Sequence, residues 1–297
     1  MKGESRVFWS RPLPSLELAI IECCLIFVFA APSLLRADTS STDTLPMFGQ
    51  PNITRSADLK KADEAFIRDS TLRFGNRQAG SNTLAAQGWA AVRSRQVDLA
   101  MQRFNQAWLL NPKNYSAFWG FGAVLSEKGK LAEALEYLET ARELIEDPIQ
   151  RVALLCDLGA VHSAYAARLP ADRQLERAQQ FVLANSRFTE SLENDPKFAP
   201  SWREWAMSLY DQERYSEAWI RVKKAREFQA EPFPPEFLKN LSAKIPEPEY
   251  NRHHPSTPIS ATFVAMLVGA QDCISTAGIE RINFRRYRCA YGAPWGM

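Results

Sequence analysis

From Ala57 to Ile245, apolar side chains recur three and four residues apart, the spacing that builds one face of a helix. Leu59, Ala62, Phe66, Ile67 and Leu72 form a first stripe, which predicts a helix capping the front of the domain over 57–80. Beyond it the stripes come in pairs, and the pairs repeat. Leu84 and Phe118, Gly88 and Gly122, Ala100 and Ala134, Phe104 and Leu138, and Ala107 and Ala141 are each separated by 34 residues. The same interval separates Ala184 from Ala218, Phe188 from Val222 and Ser191 from Ala225. A last stripe, Phe237, Leu238, Leu241 and Ile245, follows Pro234-Pro235 and predicts a rear capping helix over 233–245.

Two helical stripes per 34 residues, with Gly or Ala where the helices cross and an aromatic or large aliphatic opposite, resemble the tetratricopeptide repeat. The first unit, 81–114, carries Leu84, Gln87, Gly88 and Ala91, then Ala100, Phe104, Ala107 and Pro112. The second, 115–148, carries Phe118, Phe121, Gly122, Leu125, Ala134, Leu138, Ala141 and Pro148, and the fourth, 199–232, carries Trp202, Trp205, Ala206, Leu209, Ala218, Val222 and Ala225. The third, 149–198, departs from the pattern. Its halves, Leu155-Leu158-Gly159-His162 and Ala184-Phe188-Ser191-Pro196, stand further apart than the repeat allows. Leu175, Ala178 and Phe181 extend the second stripe backward, so we expect a longer hairpin turning near Leu169-Pro170 with Asp172 as N-cap; a disordered insertion is the alternative. The resemblance implies an all-α fold, a right-handed α-solenoid of about four hairpins with capping helices, because no hairpin buries its apolar face alone.

The flanks differ in character. Residues 1–37 open with Lys2, Arg6 and Arg11, and Cys23–Ala31 is an uninterrupted apolar run. Two readings stand. One is a signal peptide, cut after a small residue near Ala31 or Ala37, which would export the protein to a periplasmic or secreted location. The other is an uncleaved membrane anchor, against which Glu17, Glu22 and Pro32 count. Residues 38–56, rich in Ser, Thr and Pro, predict a linker, within which Met47-Phe48-Gly49-Gln50-Pro51 resembles the post-signal segment of some exported bacterial repeat proteins. Residues 246–297, interrupted by Pro246, Pro248, Pro255 and Pro258, predict a poorly ordered tail. Cys156 is expected in the core or groove, and Cys273 and Cys289 have the option of pairing in an oxidising compartment.

Composition narrows the chemistry. Lys+Arg 36 against Asp+Glu 34 leaves a net charge of +2, which gives no field for nucleic acid. There is no Gly-x-Ser-x-Gly, phosphate loop, His-Glu-x-x-His or Cys-x-x-Cys, and only 3 His in 297 residues. His162 occupies a large slot on a first helix and is expected as a packed imidazole. We therefore expect no catalytic residue, no metal, no cofactor, no nucleic-acid partner and no small-molecule substrate.

Binding of another protein is what the resemblance implies, since first helices of such repeats line a concave groove. Carried over position by position, the groove residues are Ala85, Trp89, Val92 and Arg93; Trp119, Ala123, Ser126 and Glu127; Cys156, Ala160 and Ser163; and Arg203, Met207, Tyr210 and Asp211. Trp89, Arg93, Trp119, Arg203, Met207 and Tyr210 are the expected partner-binding residues, being the types enriched at interfaces. Burial of Trp89 and Trp119 against a neighbouring repeat is the competing expectation. A two-carboxylate clamp for chaperone tails is excluded, because Ala85 and Trp89 stand where Lys and Asn would be needed. The expected function is a non-enzymatic scaffold holding a partner segment, alternatively a membrane-tethered assembly factor using the same groove.

Overall fold

The computed structural model describes residues 41–50 and 54–249, and the expectations for residues 1–37 and for the tail beyond 249 lie outside these described residues. Among the described residues the chain is all-helical and without strands: two short 3-10 turns, Ser41–Thr44 and Pro46–Gly49, precede ten α-helices. We number them α1 (Ala57–Phe74), α2 (Arg77–Arg93), α3 (Val97–Leu110), α4 (Tyr115–Glu127), α5 (Leu131–Leu144), α6 (Pro148–Arg168), α7 (Gln174–Asn194), α8 (Ala199–Asp211), α9 (Tyr215–Glu227) and α10 (Pro235–Lys244).

Local chemistry starts several of these helices. Ser56, Asn76, Asn114 and Asp147 each turn a side-chain oxygen onto free backbone N–H groups of the following first turn. The front helix is shorter than expected. Gly75 adopts φ +83°, a left-handed stop, and Asn76 immediately caps a new helix, so the stretch read as one helix over 57–80 is divided between α1 and α2. The third hairpin has two 21-residue helices, α6 and α7. Its expected cap is corrected by one position. Arg173, whose N–H closes a turn onto the Pro170 carbonyl at 3.1 Å, occupies the N-cap without a side-chain hydrogen bond.

The helices pair in sequence. The most extensive packing joins α2 with α3, α4 with α5, α6 with α7, and α8 with α9. Successive hairpins meet through α3–α4, α5–α6 and α7–α8, and first helices touch directly in the pairs α2–α4 and α6–α8. Small residues permit this closeness. A Cβ on Gly88 would lie 2.5 Å from the Phe104 ring, one on Gly122 2.5 Å from Leu138, and one on Gly159 2.7 Å from Phe188. Each is the same first-helix position meeting the same second-helix position, one hairpin after another. The turns within hairpins repeat as well. Arg95, Gly129 and Glu213 all take positive φ at the equivalent place, and the next N–H in each case reaches back to Ala91, Leu125 or Leu209 at 2.9 Å.

One apolar core runs from Trp89 and Phe104 through Phe121 and Leu138 to Leu158 and Val161. A second gathers Met207, Trp219, Val222 and Phe233, covered by Phe237 and Leu238 of α10 and their neighbour Ile245. The Trp219 indole N–H donates to the Ile245 carbonyl at 3.1 Å, tying the rear helix to α9. Part of the stretch read as a linker is also bound to the body: residues 43–49 pack on α3.

Candidate functional site

The residues expected to face a partner divide into two groups in the structure. Trp89 and Trp119, the two largest, are 2% and 1% exposed. Their rings meet edge-on at 5.4 Å, joining α2 to α4, and Trp89 makes a similar contact with Phe104. Both indole N–H groups are used inside the fold: Trp89 donates to Ser116 Oγ at 2.9 Å and Trp119 to Asp157 Oδ2 at 2.9 Å. Of the two expectations for them, open anchors or burial against a neighbouring repeat, the structure shows burial, and the anchor role is corrected. Each side chain is long enough to cross to the next first helix, and burying an indole with its N–H satisfied gains more than exposing it. Between them, Ser126 and Asp157 line a cavity of about 10 Å³, the space of a single water.

Arg203 and Met207 are likewise buried, at 3% and 5% exposure. Arg203 pairs with its neighbour Glu204 at 2.5 Å and lies 5.8 Å from the Phe233 ring, while Met207 joins the rear core. A buried charge is retained only where it is paired, and Glu204 supplies that partner. The remaining two expected residues reach the surface. Arg93 at the end of α2 is exposed, and Tyr210 is half-buried, packing on Tyr215 at 5.5 Å and edge-on to Phe237 at 5.7 Å. Of the other first-helix positions, Ala123, Glu127 and Asp211 keep partial exposure, whereas Ala85, Val92, Ser126, Ala160 and Ser163 do not. Cys156 is wholly buried.

Glu127 stands out electrostatically. Burial pushes its carboxyl up to about 7, although Arg95 and Lys128 pull in the opposite direction. A second titratable group is the cluster between the second and third hairpins. Burial alone would raise the Glu139 carboxyl. His162 (Nε2 3.8 Å away), a 2.5 Å hydrogen bond from Arg142 and the charge of Arg187 outweigh that and hold it at about 2. His162 is packed, as expected, with Nδ1 2.7 Å from Gln180 Oε1.

No family model matches the chain, and no curated protein matches it either. The site thus rests on its own geometry. That geometry contains no group of three or more His, Cys, Asp or Glu able to hold a metal among the described residues.

Three arrangements escaped reading from the sequence. Asp157 is one, because nothing local says that an aspartate on α6 will meet an indole from α4. Arg221 lies over Trp205 at 4.0 Å and over Trp202 at 5.3 Å, within a stack that continues to Phe188. Asn105 is polar in the middle of a second helix, and nothing in its own helix marks it as a contact for residues 43–48. The 34-residue register would have drawn attention to it, since the same place holds Glu139 and Lys223 in the second and fourth hairpins.

Proposed function

We propose that the chain is a right-handed α-solenoid of four tetratricopeptide-like hairpins and that it works as a non-catalytic scaffold for another protein. The observation that carries this reading is the recurrence of one crossing: Gly88 against Phe104, Gly122 against Leu138, and Gly159 against Phe188. Hairpins that cross alike and stack in order accumulate a constant rotation, which makes a superhelix with the first helices along its inner face. The side chains available there for a partner are Arg93, Glu127 and Tyr210. Trp89 and Trp119 act from behind, keeping neighbouring first helices at fixed spacing so that the face is rigid before a partner arrives. The partner is a protein segment. No metal, cofactor, nucleic acid or small-molecule substrate enters the proposal.

A second reading, a membrane-tethered assembly factor using the same face, draws on the apolar run Cys23–Ala31. Among the described residues no helix is long and apolar enough to cross a membrane.

The test places a photoreactive amino acid at Arg93 or Tyr210 in the full chain, with Glu136, exposed on second helix α5, as the comparison position. A cross-linked protein obtained from 93 and 210 but not from 136 supports the scaffold reading. Cross-linking from 136 alone moves the partner to the second helices, and none from any position removes the scaffold reading.

A further inference from the structure

Asn105 sits in the middle of α3 with no exposed surface, yet its amide serves a segment about 60 residues earlier in the chain. Its Oδ1 accepts the Phe48 N–H at 3.2 Å, and its Nδ2 donates to the carbonyls of Asp43 at 3.0 Å and Leu45 at 2.9 Å. Both ends of one side chain are thus satisfied by backbone groups of a single turn. Pro46 and Phe48 are buried, Met47 packs on the main core, and the Arg55 guanidinium lies 4.4 Å over the Phe48 ring while pairing with Asp63. Met47 and Phe48 adopt φ 49° and 53°, a left-handed conformation that bulky side chains hold only where their surroundings impose it.

The repeat itself does not call for this arrangement. Hairpin packing is satisfied with Glu139 or Lys223 at the corresponding position, so the asparagine in the first hairpin answers to the segment and not to the stack. Its three hydrogen bonds read backbone spacing, whereas the sequence preference comes from Pro46, Met47 and Phe48. That division of labour, main-chain bonds for binding and side chains for selection, is how folded domains recognise short peptides.

We infer that the Asn105 face of α3 is a peptide-binding site, that the chain fills it with its own Asp43–Gly49 segment, and that it accepts the same sequence offered as a separate peptide. The site lies on a second helix, apart from the first-helix face discussed above, and does not depend on that reading. Withdrawal of the segment gives the Asn105 amide to water and uncovers the surface that Pro46 and Phe48 bury, and a chain of the same backbone shape regains both on refilling the site.

The test uses the full chain and a fluorescent peptide of residues 41–50, Ser-Thr-Asp-Thr-Leu-Pro-Met-Phe-Gly-Gln. Phe48→Ala weakens the chain's own segment and leaves the site available, so the peptide binds this variant about tenfold or more tightly than wild type, where the internal copy competes. Binding is lost from Phe48→Ala/Asn105→Leu and from a peptide carrying Ala in place of Phe. Should that double variant lose helicity, Phe48→Ala/Asn105→Asp serves instead. It keeps the acceptor for the Phe48 amide but removes the donor to the two carbonyls, and it too binds at least about tenfold more weakly. Failure of the peptide to bind folded Phe48→Ala, or equal binding with and without the Asn105 substitutions, overturns the proposal.

Discussion

Two junctions between neighbouring hairpins share one apolar core but differ in what is packed beside it, an aromatic ring at Phe104 and a charged group at Glu139. At the first, the Phe104 ring is caught between Gly88 on α2 and Gly120 on α4, with Trp89 and Phe121 meeting it edge-on. A Cβ on Gly120 would approach the ring to 2.3 Å, so the contact is fixed by shape and is dry. At the second, Glu139 on α5 receives Arg142 and Arg187 and faces His162, which is itself held by Gln180 of α7. Arg187 continues to Glu190, and Arg151 approaches the same carboxylate at 3.9 Å. Around Phe104 the constraint is volume alone, whereas around Glu139 charge is added beside the apolar packing that joins Leu138 to Leu158 and Val161. Leu138, the register equivalent of Phe104, packs on Gly122 as Phe104 packs on Gly88, so the crossing is kept while the charges are added beside it.

The difference is open to test, beginning with the largest effect. Phe104→Ala should destabilise the fold by about 3–5 kcal/mol, since it empties a fully enclosed site, and Gly120→Ala should cost about 1–3 kcal/mol through overpacking. Both penalties, measured by urea unfolding, should be the same at pH 7 and pH 3. A penalty that varied strongly with pH would mean that the first junction is not dry.

Glu139→Gln should behave otherwise. Because the folded chain holds this carboxyl at about 2 against an ordinary 4.5, its contribution is present above about 4.5 and fades as the pH falls toward 2. Wild type should exceed the variant by roughly 1 kcal/mol near neutrality, the group being partly solvated, and the two should converge in acid. A constant difference across that range would sink the charge-constraint account.

The smallest effect has the opposite sign. Glu127 is raised to about 7, so its contribution is full below about 4.5 and is lost as the pH rises through 7. Glu127→Gln should therefore gain on wild type between pH 5 and 8, by less than about 1 kcal/mol for a half-buried group. Titration of the Glu127 carboxyl by NMR checks this directly, and a midpoint near 4.5 would contradict it.

Much of the helical framework was legible before any coordinates. Gly88, Gly122 and Gly159 could be picked out because small residues at a fixed interval signal close crossings, and the structure places each against a large side chain of its partner helix. Gly120 was not picked out, although it makes the tightest approach of all. It answers to the neighbouring hairpin's Phe104 and so follows no rule of its own unit. The same limit explains the site. Trp89 and Trp119 have the composition of interface anchors, and composition does not distinguish an indole that waits for a partner from one already satisfied by Ser116 or Asp157. The third hairpin keeps apolar side chains on its surface, Val182 at 66% exposure and Leu175 at 76%, although Leu175 stands in the stripe that extends α7 backward.

What the sequence determines alone is whatever depends on neighbours within one or two helical turns: the helices, their caps at Asn76, Asn114 and Asp147, and the left-handed stop at Gly75. These follow from backbone hydrogen bonding and side-chain sterics, which act at short range along the chain. Only the tertiary structure decided which large side chains are exposed, which charges meet at Glu139, and that Asn105 would seize the backbone of residues 43–48. Those outcomes depend on groups brought together from distant positions, where a single ångström separates a hydrogen bond from a void.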